Sequence, residues 1–170
     1  TEESDAGLAD HQSDAVDATQ DLELVAVVNA DPRSPLVALV QASSSVETRV
    51  RVQATRDGAK PRSTPWTKPG LEHTVEVFGL AADSEWELRI EAEPTSGGPA
   101  VELTRSFLSG SLPEGMPNMA VTTYDADQTQ PGLTFFGVTQ LEKPNDPELP
   151  LFIAADLTGE IVWLYQDEET

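Results

Sequence analysis

From residue 22 onward the apolar positions recur with the period of a strand rather than a helix. Leu22–Val28 is a β-rich run, closed by a turn cluster at Asn29–Pro35, and Leu36–Ala42 is a continuous apolar run of strand length. Val46–Ala54 alternates cleanly, its even positions facing inward and its odd positions facing water. Ser43-Ser44-Ser45 between these runs reads as a loop, and residues 58–70, broken by Pro61, Pro65 and Pro69, read as another. Glu72–Phe78 is the next strand. Glu85–Glu93 sets Trp86, Leu88, Ile90 and Ala92 against Glu85, Glu87, Arg89, Glu91 and Glu93, and Ala100–Leu108 follows after a turn at Thr95–Pro99. No segment sustains a helical period. Short strands at even spacing, with turn chemistry between them, predict an all-β, antiparallel sandwich over residues 22–110. Its core should hold Val50, Val52, Trp86, Leu88 and Ile90.

A local motif narrows the kind of sandwich. In Leu80-Ala81-Ala82-Asp83-Ser84-Glu85-Trp86 a Leu is followed six residues later by an aromatic that opens a strand. This resembles the corner of immunoglobulin/fibronectin type III-like domains, best over residues 72–108. There the aromatic is usually Tyr, whose hydroxyl bonds back to the backbone. Trp86 offers an indole N–H that can donate but not accept, and Ala82-Asp83 stands where that family usually has Pro-Gly.

Beyond Leu108 the text changes. Residues 109–118 are rich in Gly and Pro and read as a linker. Met119–Thr123 and Leu133–Val138 read as strands, and residues 142–150 as a second proline-rich linker. Leu151–Ala155, a turn at Asp156–Gly159 and Glu160–Tyr165 form a β-hairpin, with Gly159 suited to the positive-φ position. Its strands are almost continuously apolar, so both faces call for covering, and the expectation is an incomplete second domain. The division is then a leader at 1–21, the sandwich at 22–110, a linker and connecting strand at 111–130, and the second domain at 131–170.

Two stretches carry a further resemblance: Pro131–Val138, and the closing Ala155-Asp156-Leu157-Thr158-Gly159-Glu160-Ile161-Val162-Trp163-Leu164-Tyr165. They resemble the opening of the β-propeller and a blade hairpin in bacterial aryl-sulfate sulfotransferases. In that family a small N-terminal β-sandwich precedes a six-bladed propeller. The resemblance implies a truncated β-propeller start at 131–170 and a whole protein that transfers a sulfuryl group from aryl sulfates to phenols through a covalent histidine intermediate. No position here matches the family's catalytic residues, so the resemblance assigns no catalytic residue. The implied role is that of a non-catalytic accessory region whose partner is the downstream propeller, which it would position, orient or dimerise, making a homodimer a further expected partner. The alternative is a cell-surface binding or adhesion module carrying a non-catalytic propeller.

Charge and composition mostly exclude. The 170 residues carry 30 Asp+Glu against 10 Lys+Arg, a net charge of −20, which phosphate backbones repel; nucleic acid is therefore not an expected partner. Much of that charge sits at the ends. Residues 1–21 hold seven acids and no base, with too little apolar surface to offset ordering, and predict a disordered acidic leader. No apolar run is long enough to span a bilayer, so no transmembrane segment is expected. The first residue is Thr1, and no basic, apolar signal segment follows it. That fits a processed, exported protein, periplasmic or on the cell surface, and leaves open lipid anchoring upstream of Thr1.

Candidate chemistry is sparse. Without Cys there is no disulfide or thiolate site. His73, in phase with Val75 and Val77, reads as a structural or surface histidine, and His11 lies in the leader. Asp125-Ala126-Asp127 lacks the spaced ligands of a calcium loop and reads as a turn; Asn145–Glu148 reads as a proline-bounded turn. Asp156 reads as the hairpin turn's own acceptor. Trp66 reads as packing across the sandwich edge, and Trp163 as blade core. No catalytic, cofactor-binding or metal-ligating residue is assigned, and no cofactor is expected.

Overall fold

The computed structural model describes residues 22–31, 33–114, 116, 119–123, 125, 127–128, 132–138 and 151–166. The leader at 1–21 with His11, Ala126, Pro131 and the segment at 142–150 lie outside the described residues. Every regular element among the described residues is a strand, and every pairing is antiparallel. Six strands build the first sheet: β1 (Leu24–Asp31), β2 (Ser34–Thr55), β3 (Arg62–Ser63), β4 (Gly70–Val77), β5 (Glu85–Pro94) and β6 (Val101–Leu108).

The architecture follows from β2, which runs for 22 residues. Its first half pairs with β1 on one edge, from Ser34 to Ser44, and with β4 on the other, from Ala38 to Ser43. Its second half, Thr48–Thr55, pairs with β5, while β3 and the Thr64–Thr67 segment bind the opposite edge. The pairing register with β4 shifts between Ser43 and Thr48, and there the strand bends and passes from one layer to the other. The sheet thereby curls over itself into an antiparallel sandwich of immunoglobulin/fibronectin type III-like kind, with β1-β2-β4 facing β3-β2-β5-β6 across one core. Arg105 Nε donates to the Ala26 carbonyl at 3.4 Å, drawing β6 toward β1.

The two runs expected as separate strands are thus halves of one, and Ser43–Ser45 are not a loop. Hydroxyls make the bend tolerable. Ser44 Oγ donates to the Val46 carbonyl at 2.8 Å and lies 3.0 Å from Thr48 Oγ1, so polar groups displaced from the ladder keep partners. The inward phase survives the bend: Ala38, Val40 and Ala42 before it, and Val50, Val52 and Ala54 after it, are all buried. They meet Val75 and Val77 of β4 and Trp86, Leu88, Ile90 and Ala92 of β5 in one cluster. The five expected core residues are all in it. Residues 58–70 are more ordered than a plain loop. Thr64 and Thr67 donate their N–H groups to the carbonyls of Val52 and Val50 and accept from those residues' N–H groups through their hydroxyls.

The corner before β5 is fastened differently from the expectation. Trp86 is 1% exposed, yet its Nε1–H has no acceptor. Ser109 does the fastening: its hydroxyl donates to the Ala81 carbonyl at 2.5 Å and accepts from Ser84 N–H at 3.0 Å. Asp83 takes the turn's left-handed position, at φ 49°, where Gly is usual. Aspartate tolerates that conformation better than most residues, and here its carboxylate also accepts from the Ser111 hydroxyl.

A second antiparallel sheet holds β7 (Thr134–Val138), β8 (Leu151–Ala155) and β9 (Ile161–Gln166), in that order. Met119–Thr123, expected as a strand, runs as irregular chain. The second sheet rests on the start of β2, where Leu36 packs against Ile153, Ile161 and Leu164, with Leu112, Met116 and Met119 around them. Ser34 Oγ adds a bond to the Leu164 carbonyl at 2.5 Å.

Candidate functional site

The β8–β9 hairpin is set by its turn. Asp156 Oδ1 accepts from Thr158 N–H at 2.9 Å, from the Thr158 hydroxyl at 2.6 Å and from Glu160 N–H at 3.3 Å, the acceptor role expected of it. Gly159 takes φ 85°, and a Cβ there would stand 3.3 Å from the Met119 carbonyl oxygen. Two arginines from the sandwich clasp this tip: Arg56 Nη2 reaches Glu160 at 3.1 Å, and Arg62 Nη2 reaches Asp156 at 3.3 Å. Partial burial alone would raise the Asp156 pKa. The hydrogen bonds from Thr158 and Glu160 and the Arg62 charge outweigh it and hold the carboxyl below the usual aspartate range.

That depression has a sign in stability. The contribution is present above the ordinary aspartate value of about 3.9 and is lost as pH falls through the lower folded value. Asp156→Asn should therefore be less stable than the parent at neutral pH, and the gap should close on acidification. Urea unfolding of both proteins across that range is the check; a gap independent of pH would contradict it.

Sheet register sorts the side chains of β7–β9 onto two faces. Phe135, Ala154 and Trp163 are level with one another, as are Gly137, Phe152 and Tyr165. Ile153 and Leu164 point to the sandwich side and are buried against Leu36. The opposite face is aromatic. Phe135 meets Trp163 edge-on with ring centroids 6.0 Å apart, and Trp163 lies parallel to Tyr165 at 6.2 Å. Phe135 is 67% exposed and Phe152 50%, while Ala154 is fully buried on the same face. Four aromatic rings without a charged group among them make this an apolar surface, which sequence patterning signalled as strands needing cover on both sides.

The remaining candidates resolve as structural groups. His73 is buried beside the β2 bend. Its Nε2 lies 3.1 Å from the Gly70 carbonyl and 3.1 Å from Thr48 Oγ1, and Nδ1 lies 2.9 Å from Thr67 Oγ1. The carbonyl can only accept, so Nε2 carries a hydrogen, and the ring ties β4 to the second half of β2 and to the Thr64–Thr67 segment. Trp66 sits on the edge of the sandwich, where it lines a cleft shared with Val75 and Val77 of β4. It lies over the outward guanidinium groups of Arg51 and Arg49, at 4.6 and 5.5 Å. Those arginines pair with Glu91 and Glu93, and Arg89 with Glu102, as a neutralised ladder on the outer face of β2, β5 and β6. The Arg89 hydrogen bond holds Glu102 below the usual carboxylate range. Asp125 and Asp127 sit in a turn in which Asp125 Oδ1 accepts from Asp127 N–H at 3.0 Å. Among the described residues no group of three or more His, Cys, Asp or Glu could hold a metal ion, and no helix is long and apolar enough to cross a membrane.

No known family model matches the chain, and no curated protein sequence does.

Proposed function

We propose that this chain is the non-catalytic N-terminal accessory region of an exported, sulfotransferase-like propeller protein, with β7–β9 as the opening strands of the propeller. The supporting observation is the asymmetry of the second sheet. One face packs on the sandwich through Ile153, Leu164 and Leu36, and the other carries exposed Phe135 and Phe152 beside half-buried Trp163 and Tyr165. An antiparallel meander with both faces apolar is what a blade contributes to a stack of blades. The sandwich then serves as a base. It holds the first blade by a hydrophobic plug and two arginine clasps, and so fixes where the propeller begins. Transfer of a sulfuryl group from an aryl sulfate to a phenol would belong to the propeller, and the segment at 22–166 would position it.

The test is an assay of the isolated chain with an aryl sulfate donor and a phenol acceptor. No turnover above background is expected. Turnover that disappears in His73→Ala would overturn the accessory reading and move the chemistry into the sandwich. A second arm extends the chain by its natural continuation and follows hydrogen exchange. The β7–β9 amides should gain protection there, and unchanged protection would remove the blade assignment.

A further inference from the structure

On one side of the sandwich the two layers guard their edges differently. Sheet edges present unpaired N–H and C=O groups, and proteins commonly blunt them with Pro or Lys. The Arg62–Thr67 segment, on the edge of one layer, has Pro65 within it and Pro61 and Pro69 close on either side. β4, on the same side of the other layer, reads Gly-Leu-Glu-His-Thr-Val-Glu-Val, with neither Pro nor Lys. Among the described residues it pairs with β2 alone, so its outer edge has no strand partner. Between the two edges lies a cleft of about 450 Å³, lined by Arg62–Thr67 and Thr74–Phe78. Its apolar wall includes Val75, Val77, Trp66 and Phe78, the last 49% exposed. Arg62 lies over Gly79, where any Cβ would stand 3.2 Å from its Nε, and its charge is taken by Asp156.

We propose that this cleft accepts an extended segment of a partner protein, added as a strand to the outer edge of β4, in which apolar residues alternate with Lys or Arg. Strand addition supplies main-chain hydrogen bonds, and alternate side chains supply selectivity. The apolar set would face the cleft beside Val75 and Val77. The basic set would lie on the outward face, level with Glu72 and Glu76, both exposed. Opposite charges across a strand pair are favourable and like charges are not. The same rule disfavours a second copy of this chain. Antiparallel self-pairing centred on Thr74 sets Glu72 of each copy against Glu76 of the other, in a protein already at net charge −20. The inference concerns β4 and not the aromatic face of β7–β9, so it stands or falls apart from the propeller reading.

The experiment uses the whole chain and two synthetic peptides of identical composition, one alternating Val and Lys, the other carrying them in separate blocks. The alternating peptide should bind at least about tenfold more tightly, change the fluorescence of Trp66 against a Trp66→Phe control, and slow amide exchange along residues 70–78. Joint reversal, Glu72→Lys with Glu76→Lys, should shift the preference to a peptide alternating Val and Glu. Both positions are on the wet face, and a parent-like melting curve verifies the fold. Equal binding of the two lysine peptides would overturn the proposal, because charge alone would then account for it. Protection appearing elsewhere, or in β4 without peptide at concentrations where the protein dimerises, would overturn it as well.

Discussion

Replacing Trp86 with alanine should lower the unfolding free energy by about 3–5 kcal/mol, with a melting temperature down by roughly 12 °C or more for a domain this small. The indole is the largest fully buried side chain, 1% exposed, and sits in the cluster that joins both layers of the sandwich. Arg56 lies over its ring at 4.9 Å, so its loss also uncovers a cation. The size of the loss separates two accounts of the corner. If the aromatic acted by a hydrogen bond, phenylalanine would be nearly as harmful as alanine. The structure gives Nε1 no acceptor and assigns the bonds to Ser109. Trp86→Phe should therefore keep most of the stability, losing volume while removing an unsatisfied buried donor. Denaturant unfolding of the two variants is the measurement. A Trp86→Ala curve that barely moves would refute the core assignment, and a Phe variant as poor as Ala would restore the hydrogen-bonded corner.

What the sequence makes legible here is local, and what it hides is long-range. Alternation at Val46–Ala54 and Glu85–Glu93 identifies inward residues because a strand's period is built into its backbone, and no tertiary partner is needed to see it. Gly159 and Asp156 are legible for the same reason: a tight hairpin turn dictates its own residues. Ser43–Ser45 mislead because three hydroxyls interrupting an apolar run look like a loop, whereas the strand continues through them and the Ser44 hydroxyl bonds across its bend. The groups that decide the corner stand far apart in the chain. Ser109 reaches back to Ala81 and Ser84, and nothing around residue 109 announces it. His73 is similar. Its phase with Val75 marks it as inward, but its partners Thr48 and Thr67 come from other segments. The aromatic face is half legible. Apolar continuity within Leu151–Ala155 and Ile161–Tyr165 shows that both faces need cover, and only register shows that Phe135 joins Trp163 and Tyr165 on the face away from the sandwich.

The contact that places the second sheet is the least visible in the text and should be the most sensitive after Trp86. Leu36→Ala is expected to cost about 2–5 kcal/mol. The side chain is fully buried and packs against both strands of the β8–β9 hairpin, and its neighbours in the strand point to the opposite face. Around it the sheets are also joined by Arg56–Glu160 and Arg62–Asp156, whose side chains stay partly exposed. Pairs of that kind contribute about 0–1 kcal/mol each. The hydrophobic plug should thus outweigh both clasps together. The comparison is between Leu36→Ala and the double variant Arg56→Ala with Arg62→Ala, followed by hydrogen exchange. In Leu36→Ala the β8 and β9 amides should lose protection well before those of β5, because the plug joins the second sheet to a sandwich whose main cluster does not include it. In the arginine variant the order of opening should be preserved and the loss small. If the arginine variant instead frees the hairpin and Leu36→Ala does not, the joint is electrostatic, and raising the salt concentration should then loosen it as well.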